Sequence, residues 1–259
     1  MPIMQWVLAE VPFFVLGLVV VGGAVGLTIS GLFVVRRLIP HNRLKVHHDV
    51  ADPLLGVMGA VYSVLLAFVV VTVWVTFDKS DSNVQQEANS LADIYRDAEG
   101  LSADFRAKLD PLIREYRDAV VKYEWKAMER GQMSPYVEKL MNQIWGLYTN
   151  YEPQSVTEKV FFEESVSKLN TFRELRRSRL MDSRNGIQPL LWFVLVMGGA
   201  ATISFTFLFG SENFQAQLIM GVLIAAMISL ILFTVMSMDY PFTGSIAISP
   251  RPFQQVILN

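Results

Sequence analysis

Apolar positions in this chain gather into four uncharged stretches set out as two pairs, with one polar insert of just over a hundred residues between the pairs. Between Glu10 and Arg36 there are 25 residues without a charge, between Asp52 and Asp78 another 25, between Arg184 and Glu212 there are 27, and between Glu212 and Asp239 there are 26. A helix needs about 20 apolar residues to cross a hydrocarbon core of roughly 30 Å, so each stretch is long enough to span. Predicted spans are residues 11–35, 53–77, 187–209 and 214–238, with Asp52 and Pro53 as cap and first-turn pair of the second. Links of seventeen or so residues in the first pair and a short GSENF turn in the second make each pair an antiparallel hairpin.

The insert carries apolar residues at spacings of three and four over 80–99, 102–130, 135–148 and 157–184, with breaks at Gly100, Gly131 and Pro153. It reads as helical throughout. No breaker separates it from the spans before Gly186 and Pro189, so spans two and three are expected to continue out of the bilayer as long rods. The tail after Asp239 has three prolines and an alternating SIAIS run, and is expected to be extended and packed rather than helical. The fold class is therefore an all-α membrane protein: four transmembrane helices in two hairpins, with an all-helical polar insert between helices two and three. Its parts are a first hairpin (1–77), the insert (78–186), a second hairpin (187–238) and the tail (239–259).

Composition changes this picture little. The chain of 259 residues carries a formal charge of −2, and the insert's 17 basic and 19 acidic residues nearly cancel, so no nucleic-acid footprint is visible. Cysteine is absent, which excludes disulfides, thiolate metal sites and a cysteine nucleophile. The first stretch has no Lys or Arg before it and exceeds the core of a cleaved signal, so it reads as a retained span. Four spans put both termini and the insert on one side. Basic residues near the membrane ends are Arg36, Arg37, Arg43 and Lys45 on the link side, against Lys79, Arg96, Arg173, Arg176, Arg177, Arg179, Arg184 and Arg251 on the other. The total favours a cytoplasmic insert, whereas the first span taken alone favours the reverse.

Small residues recur at every fourth position on three spans: Gly22, Gly26 and Ser30; Gly59, Ser63 and Ala67; Gly221, Ala225 and Ser229. In lipid such stripes allow close helix packing, within one subunit or against a neighbour. On span two, Met58, Tyr62, Leu65, Val69, Thr72 and Thr76 lie within about 80° of one another at 100° per residue. This face meets either lipid or a lumen, in which hydroxyls would surround an apolar belt that gates by dewetting. No Asp, Glu, Lys or Arg lies inside any span, which argues against a proton relay or carboxylate-coupled transport. All three histidines fall in one link, where His41, His47 and His48 sit with Arg36, Arg37, Arg43 and Lys45. Their spacing matches no specific metal site; the link is a solvated connection or a pH-sensitive, anion-attracting pore mouth. No nucleophile elbow, phosphate loop, metal motif or cofactor motif occurs, so no enzyme activity and no cofactor are expected.

Three segments carry a resemblance: HHDVADPLLGVMGAVYSVLLAFVVVTVWVTF over span two, QQEANSLADIYRDA beyond it, and DYPFTGSIAISPRP after span four. Together they resemble the bestrophin-like domain of unknown function of bacteria and plants, which is similar to the bestrophin anion channels. The resemblance implies a homo-oligomeric, pentameric ion channel favouring anions, with the second helix lining the pore and with the bilayer, other copies of itself and small inorganic ions as partners. It also implies a cell membrane, the bacterial inner membrane, with cytoplasmic termini and insert. Glu87, Tyr95 and Arg96 become candidates for coupling below the membrane, while the absence of an acidic run leaves calcium gating out. A membrane scaffold or sensor without conduction, or a stator-like energy transducer acting with a partner, is the other reading of four spans around a helical module.

Overall fold

The computed structural model describes residues 3–38, 48–207, 213–256 and 258, with residues 48–52 and 55 described by their backbone alone. Its helices are α1 (Ile3–Glu10), α2 (Phe13–Leu38), α3 (His48–Asp97), α4 (Ala103–Ala119), α5 (Trp125–Met128), α6 (Pro135–Thr149), α7 (Val156–Asp182), α8 (Pro189–Phe207), α9 (Phe214–Met238) and α10 (Arg251–Gln255). A 3-10 turn, Ala98–Gly100, ends α3, and a five-residue π turn, Val120–Glu124, joins α4 to α5. No strand occurs among the described residues. Among the described residues, four helices, α2, α3 from Gly56, α8 and α9, are long and apolar enough to cross a membrane.

The chain divides into two compact units. One holds residues 11–75 and 187–239, and so α2, the first half of α3, α8 and α9. Here α2 packs most extensively on α9, and glycines let the helices close. Gly221 of α9 receives Leu32 and Thr28, while Gly17 and Gly31 of α2 meet the rings of Phe233 and Phe207. α3 seats the Tyr62 ring on Gly198 and Gly199 of α8, where a Cβ would come within 2.7 and 2.9 Å of that side chain. Tyr62, Leu66, Val69 and Val73 form a buried cluster with Leu195, Ile228 and Val235.

The other unit holds the residues up to Glu10, 76–186 and 240–259. Its core is built on α3, α4, α6 and α7, with Phe242, Ile248, Phe253 and Leu258 of the tail buried in it. α3 runs unbroken from the span into this unit because no proline or glycine interrupts it between Gly59 and Gly100. Its buried stripe steps by three and four through Ser80, Val84, Glu87, Leu91, Ile94 and Ala98. Ser102, Ser134 and Ser155 cap α4, α6 and α7 by accepting from the backbone N–H three residues on.

Three expectations are corrected, the first being the start of span two: α3 begins at His48, so Asp52 and Pro53 lie inside it rather than at its cap and first turn. Span three is not continuous with the insert: α7 stops at Asp182 and α8 starts at Pro189. Proline has no N–H to bond back and disfavours helical geometry in Gln188, so the chain must break before it. Asp239 closes the break, accepting from the Ile187 N–H at 2.6 Å and from the Trp192 indole at 3.1 Å. The tail is not wholly extended either, since residues 251–255 form α10. Its turn rests on Gly244, whose φ of +88° suits a residue without a side chain.

Candidate functional site

Two places concentrate polar chemistry or unpartnered surface: the span half of α3 and a buried charge cluster in the polar unit. On α3 the face expected to border a lumen is largely consumed within the chain. Tyr62 and Val69 are buried, and the Tyr62 hydroxyl donates to the Leu195 carbonyl at 3.0 Å. Met58 and Leu65 are half-buried, and Leu65 packs on the same cluster. Only Thr72 and Thr76 are exposed, and the Thr72 hydroxyl donates to Phe68 O of its own helix. Tyr62 and Val69 are therefore packing residues of the subunit. The reason is the pair Gly198 and Gly199, whose missing side chains make room for an aromatic ring.

The opposite face is open. Ala60, Val64, Ala67 and Val71, within about 60° of one another by helical phase, are all exposed in the single chain. The small-residue stripes divide in the same way. Gly221, Ala225 and Ser229 are buried within the chain, whereas Gly22, Gly26, Ser30, Ser63 and Ala67 are exposed. Among the described residues, nothing stands within 4 Å of a Cβ built on Gly22, Gly26 or Gly59.

In the polar unit, Arg179 and Arg176 of α7 bind three carboxylates from three other elements. Arg179 Nε and Nη2 donate to Glu87 at 2.6 and 2.8 Å, and Nη2 also donates to Glu124 at 2.9 Å. Arg176 donates to Glu124 at 2.7 Å and to Glu138 at 2.5 Å. Arg179, Glu87 and Glu124 are fully buried. The Arg179 guanidinium is also stacked 5.1 Å from the Trp125 ring and 5.8 Å from that of Phe253. The π turn ends on Glu124, and both Glu124 and the Trp125 that follows it are buried. Burial pushes the Glu124 carboxyl up, but Arg179 and Arg176 outweigh it by charge and hydrogen bonds and hold it below the usual carboxylate range. Tyr116 is buried in the same region, and among the described residues its hydroxyl has no hydrogen-bond partner; burial, then the charges of Glu87 and Glu124, raise its pKa well above that of a free tyrosine.

Of the three coupling candidates, only Glu87 belongs to this cluster. Tyr95 is buried and its hydroxyl accepts from Arg114 at 2.8 Å, while Arg96 is exposed with Asp93 4.0 Å away. Arg176, Arg179 and Glu124 were not singled out as a site. Their signal was in the spacing: Ser165, Leu169, Phe172, Arg176 and Arg179 are one buried stripe at steps of four and three, so the arginines occupy core positions. At the link, Arg36 donates to Gln217 at 3.2 Å and lies 4.5 Å over the Phe214 ring, and Arg37 is exposed. His41, Arg43, Lys45 and His47 lie outside the described residues, and His48 is described only as the first residue of α3.

A family model described as "Bestrophin-like domain" matches residues 22–253. The crystal structure of a point mutant of a bacterial bestrophin homologue from Klebsiella pneumoniae superposes with a TM-score of 0.65, covering 90% of this chain and 94% of that one at 7% identity. At that identity the likeness is one of fold. No curated protein sequence matches.

Proposed function

Since the chain belongs to the Bestrophin-like family, and is a multi-pass membrane protein with an ion-channel-like role, we propose that it is a homo-oligomeric channel, a pentamer favouring anions, whose pore is lined by α3. The observation that carries this reading is the open face of α3. Ala60, Val64, Ala67 and Val71 are exposed along a helix with no charge inside its span half. A ring of such helices presents an apolar constriction, which gates by dewetting rather than by binding the ion. Gly56 and Ser63 on one flank, and Val61 and Phe68 on the other, then meet neighbouring copies. The exposed stripe Gly22, Gly26 and Ser30 supplies a second close-packing surface.

In this arrangement the termini and the polar unit are cytoplasmic. The pair Glu87–Arg179 couples the lining helix to α7, so that a shift of α3 is felt by the helix preceding span three. The test is planar-bilayer recording from purified oligomers. An ionic current that responds to substitution of Val64 or Ala67 by a polar residue is expected, and silence from well-folded oligomers overturns the proposal. Imaging of particles along the membrane normal reads the subunit number, with fivefold symmetry expected.

A further inference from the structure

α1 has its polarity inverted. Its polar Gln5 is fully buried, while Ile3 is 83% and Trp6 55% exposed. Gln5 Nε2 donates to the Ser183 carbonyl at 3.0 Å and to the Thr243 hydroxyl at 3.2 Å, and Thr243 donates in turn to Glu129 O at 3.1 Å. Leu8 is buried as well, and its carbonyl stands 3.2 Å from where a Cβ on Gly244 would be. One side of α1 is thus fastened to the polar unit, and the side left outward carries an isoleucine and a tryptophan.

What that outer side meets is constrained by the chain itself. Glu10 ends α1 and Phe13 begins α2, a helix apolar enough to span. Three residues reach at most about 10 Å, so α1 must lie at the level where the first span leaves the membrane. Tryptophan favours that level, because its ring is apolar and its N–H is wet. Glu10 is exposed on the same outward side, one turn beyond Trp6, and its charge keeps the helix among the headgroups rather than in hydrocarbon. α1 carries no Lys or Arg, so the attraction does not depend on anionic lipid.

We propose that α1 is an interfacial anchor, with Trp6 and Ile3 inserted into the headgroup layer of the bilayer and Gln5 tying that layer to the backbone at Ser183 and the side chain at Thr243. Those two residues stand just before α8 and just after α9. Lipid packing at the surface therefore acts mechanically on the segments that bound the second hairpin.

The chain has no cysteine, so single substitutions Ile3→Cys, Trp6→Cys and, as a water-exposed control in the polar unit, Lys159→Cys give unique sites for a nitroxide label. In lipid nanodiscs, the ratio of relaxation by dissolved oxygen to relaxation by a water-soluble nickel chelate is expected to be several-fold higher for labels at positions 3 and 6 than for the label at 159. A ratio at 3 and 6 equal to that at 159, meaning water, overturns the anchor. Low relaxation by both reagents, meaning cover by a neighbouring subunit, overturns it too. Should a labelled variant fail to assemble, quenching of the native chain and of Trp6→Phe by lipids brominated near the headgroup gives the same reading. Loss of a quenched component in Trp6→Phe supports the anchor, and identical quenching refutes it.

Discussion

Tyr62 shows how one residue's role is decided by its neighbours. Its hydroxyl reads in sequence as a polar group on a lumen face, yet the ring is seated on two glycines and the hydroxyl is spent on a backbone carbonyl. Tyr62→Phe is accordingly expected to leave single-channel conductance unchanged while lowering stability by about 1 kcal/mol, the usual worth of one buried hydrogen bond. A changed conductance would return Tyr62 to the pore. Arg179 is the converse case. Removing its charge by Arg179→Met leaves Glu87 and half of Glu124's partners uncompensated in a buried site. The loss should be about 3–5 kcal/mol, lowering the thermal midpoint of the detergent-solubilised protein by on the order of 10 °C. Arg96→Met, which gives up an exposed contact with Asp93 at 4.0 Å, should leave the midpoint unmoved within about 1 °C.

At the scale of elements, α3 and the α7–α8 pair are contrasting solutions to leaving the membrane. α3 stays helical because its composition changes from apolar to polar without a breaker, and its buried stripe continues in phase. α7 and α8 are separate because Pro189 forces a break, and the six residues between them need polar partners for their freed backbone groups. Asp239 supplies one, reaching from the end of α9 to the Ile187 N–H and the Trp192 indole. It acts as a cap in space rather than in sequence. Asp239→Ala should cost about 1–2 kcal/mol, as loss of a helix cap does, with Asp239→Asn recovering part of it through its remaining carbonyl oxygen; thermal unfolding of the two variants decides.

For the whole molecule, the buried charges make stability depend on pH. Glu124 has a folded pKa below its free value of 4.5, so its stabilisation is fully present above that pH and is lost as pH falls through the lowered folded value. The stability difference between the native chain and Glu124→Gln should therefore be constant above pH 4.5 and shrink in more acid solution, as read by unfolding midpoints across a pH series. A difference that grows on acidification would refute the assignment. Charge also bears on the ion. Asp78 falls by helical phase on the same side of α3 as Ala60, Val64, Ala67 and Val71, and it is exposed. A ring of carboxylates there opposes anions, so Asp78→Asn should raise anion permeability relative to cations, measured as a shift in reversal potential under a salt gradient.

The four spans, the helical insert and the run of α3 out of the membrane were legible in the order of residues, because length without charge and a period of three to four are local properties that solvent alone imposes. The breaks at Gly100 and Gly131 were legible for the same reason. What tertiary structure decided was which face of each helix is satisfied inside the chain. Three small-residue stripes look alike in sequence, but among the described residues Gly221, Ala225 and Ser229 form the one stripe that is buried throughout. The two arginines of α7 look like surface charges until Glu87 and Glu124, brought from 92 and 55 residues away, neutralise them in the core. Helical phase tells which residues share a side; it is the shape and charge of the surface packed against that side that sets what they do.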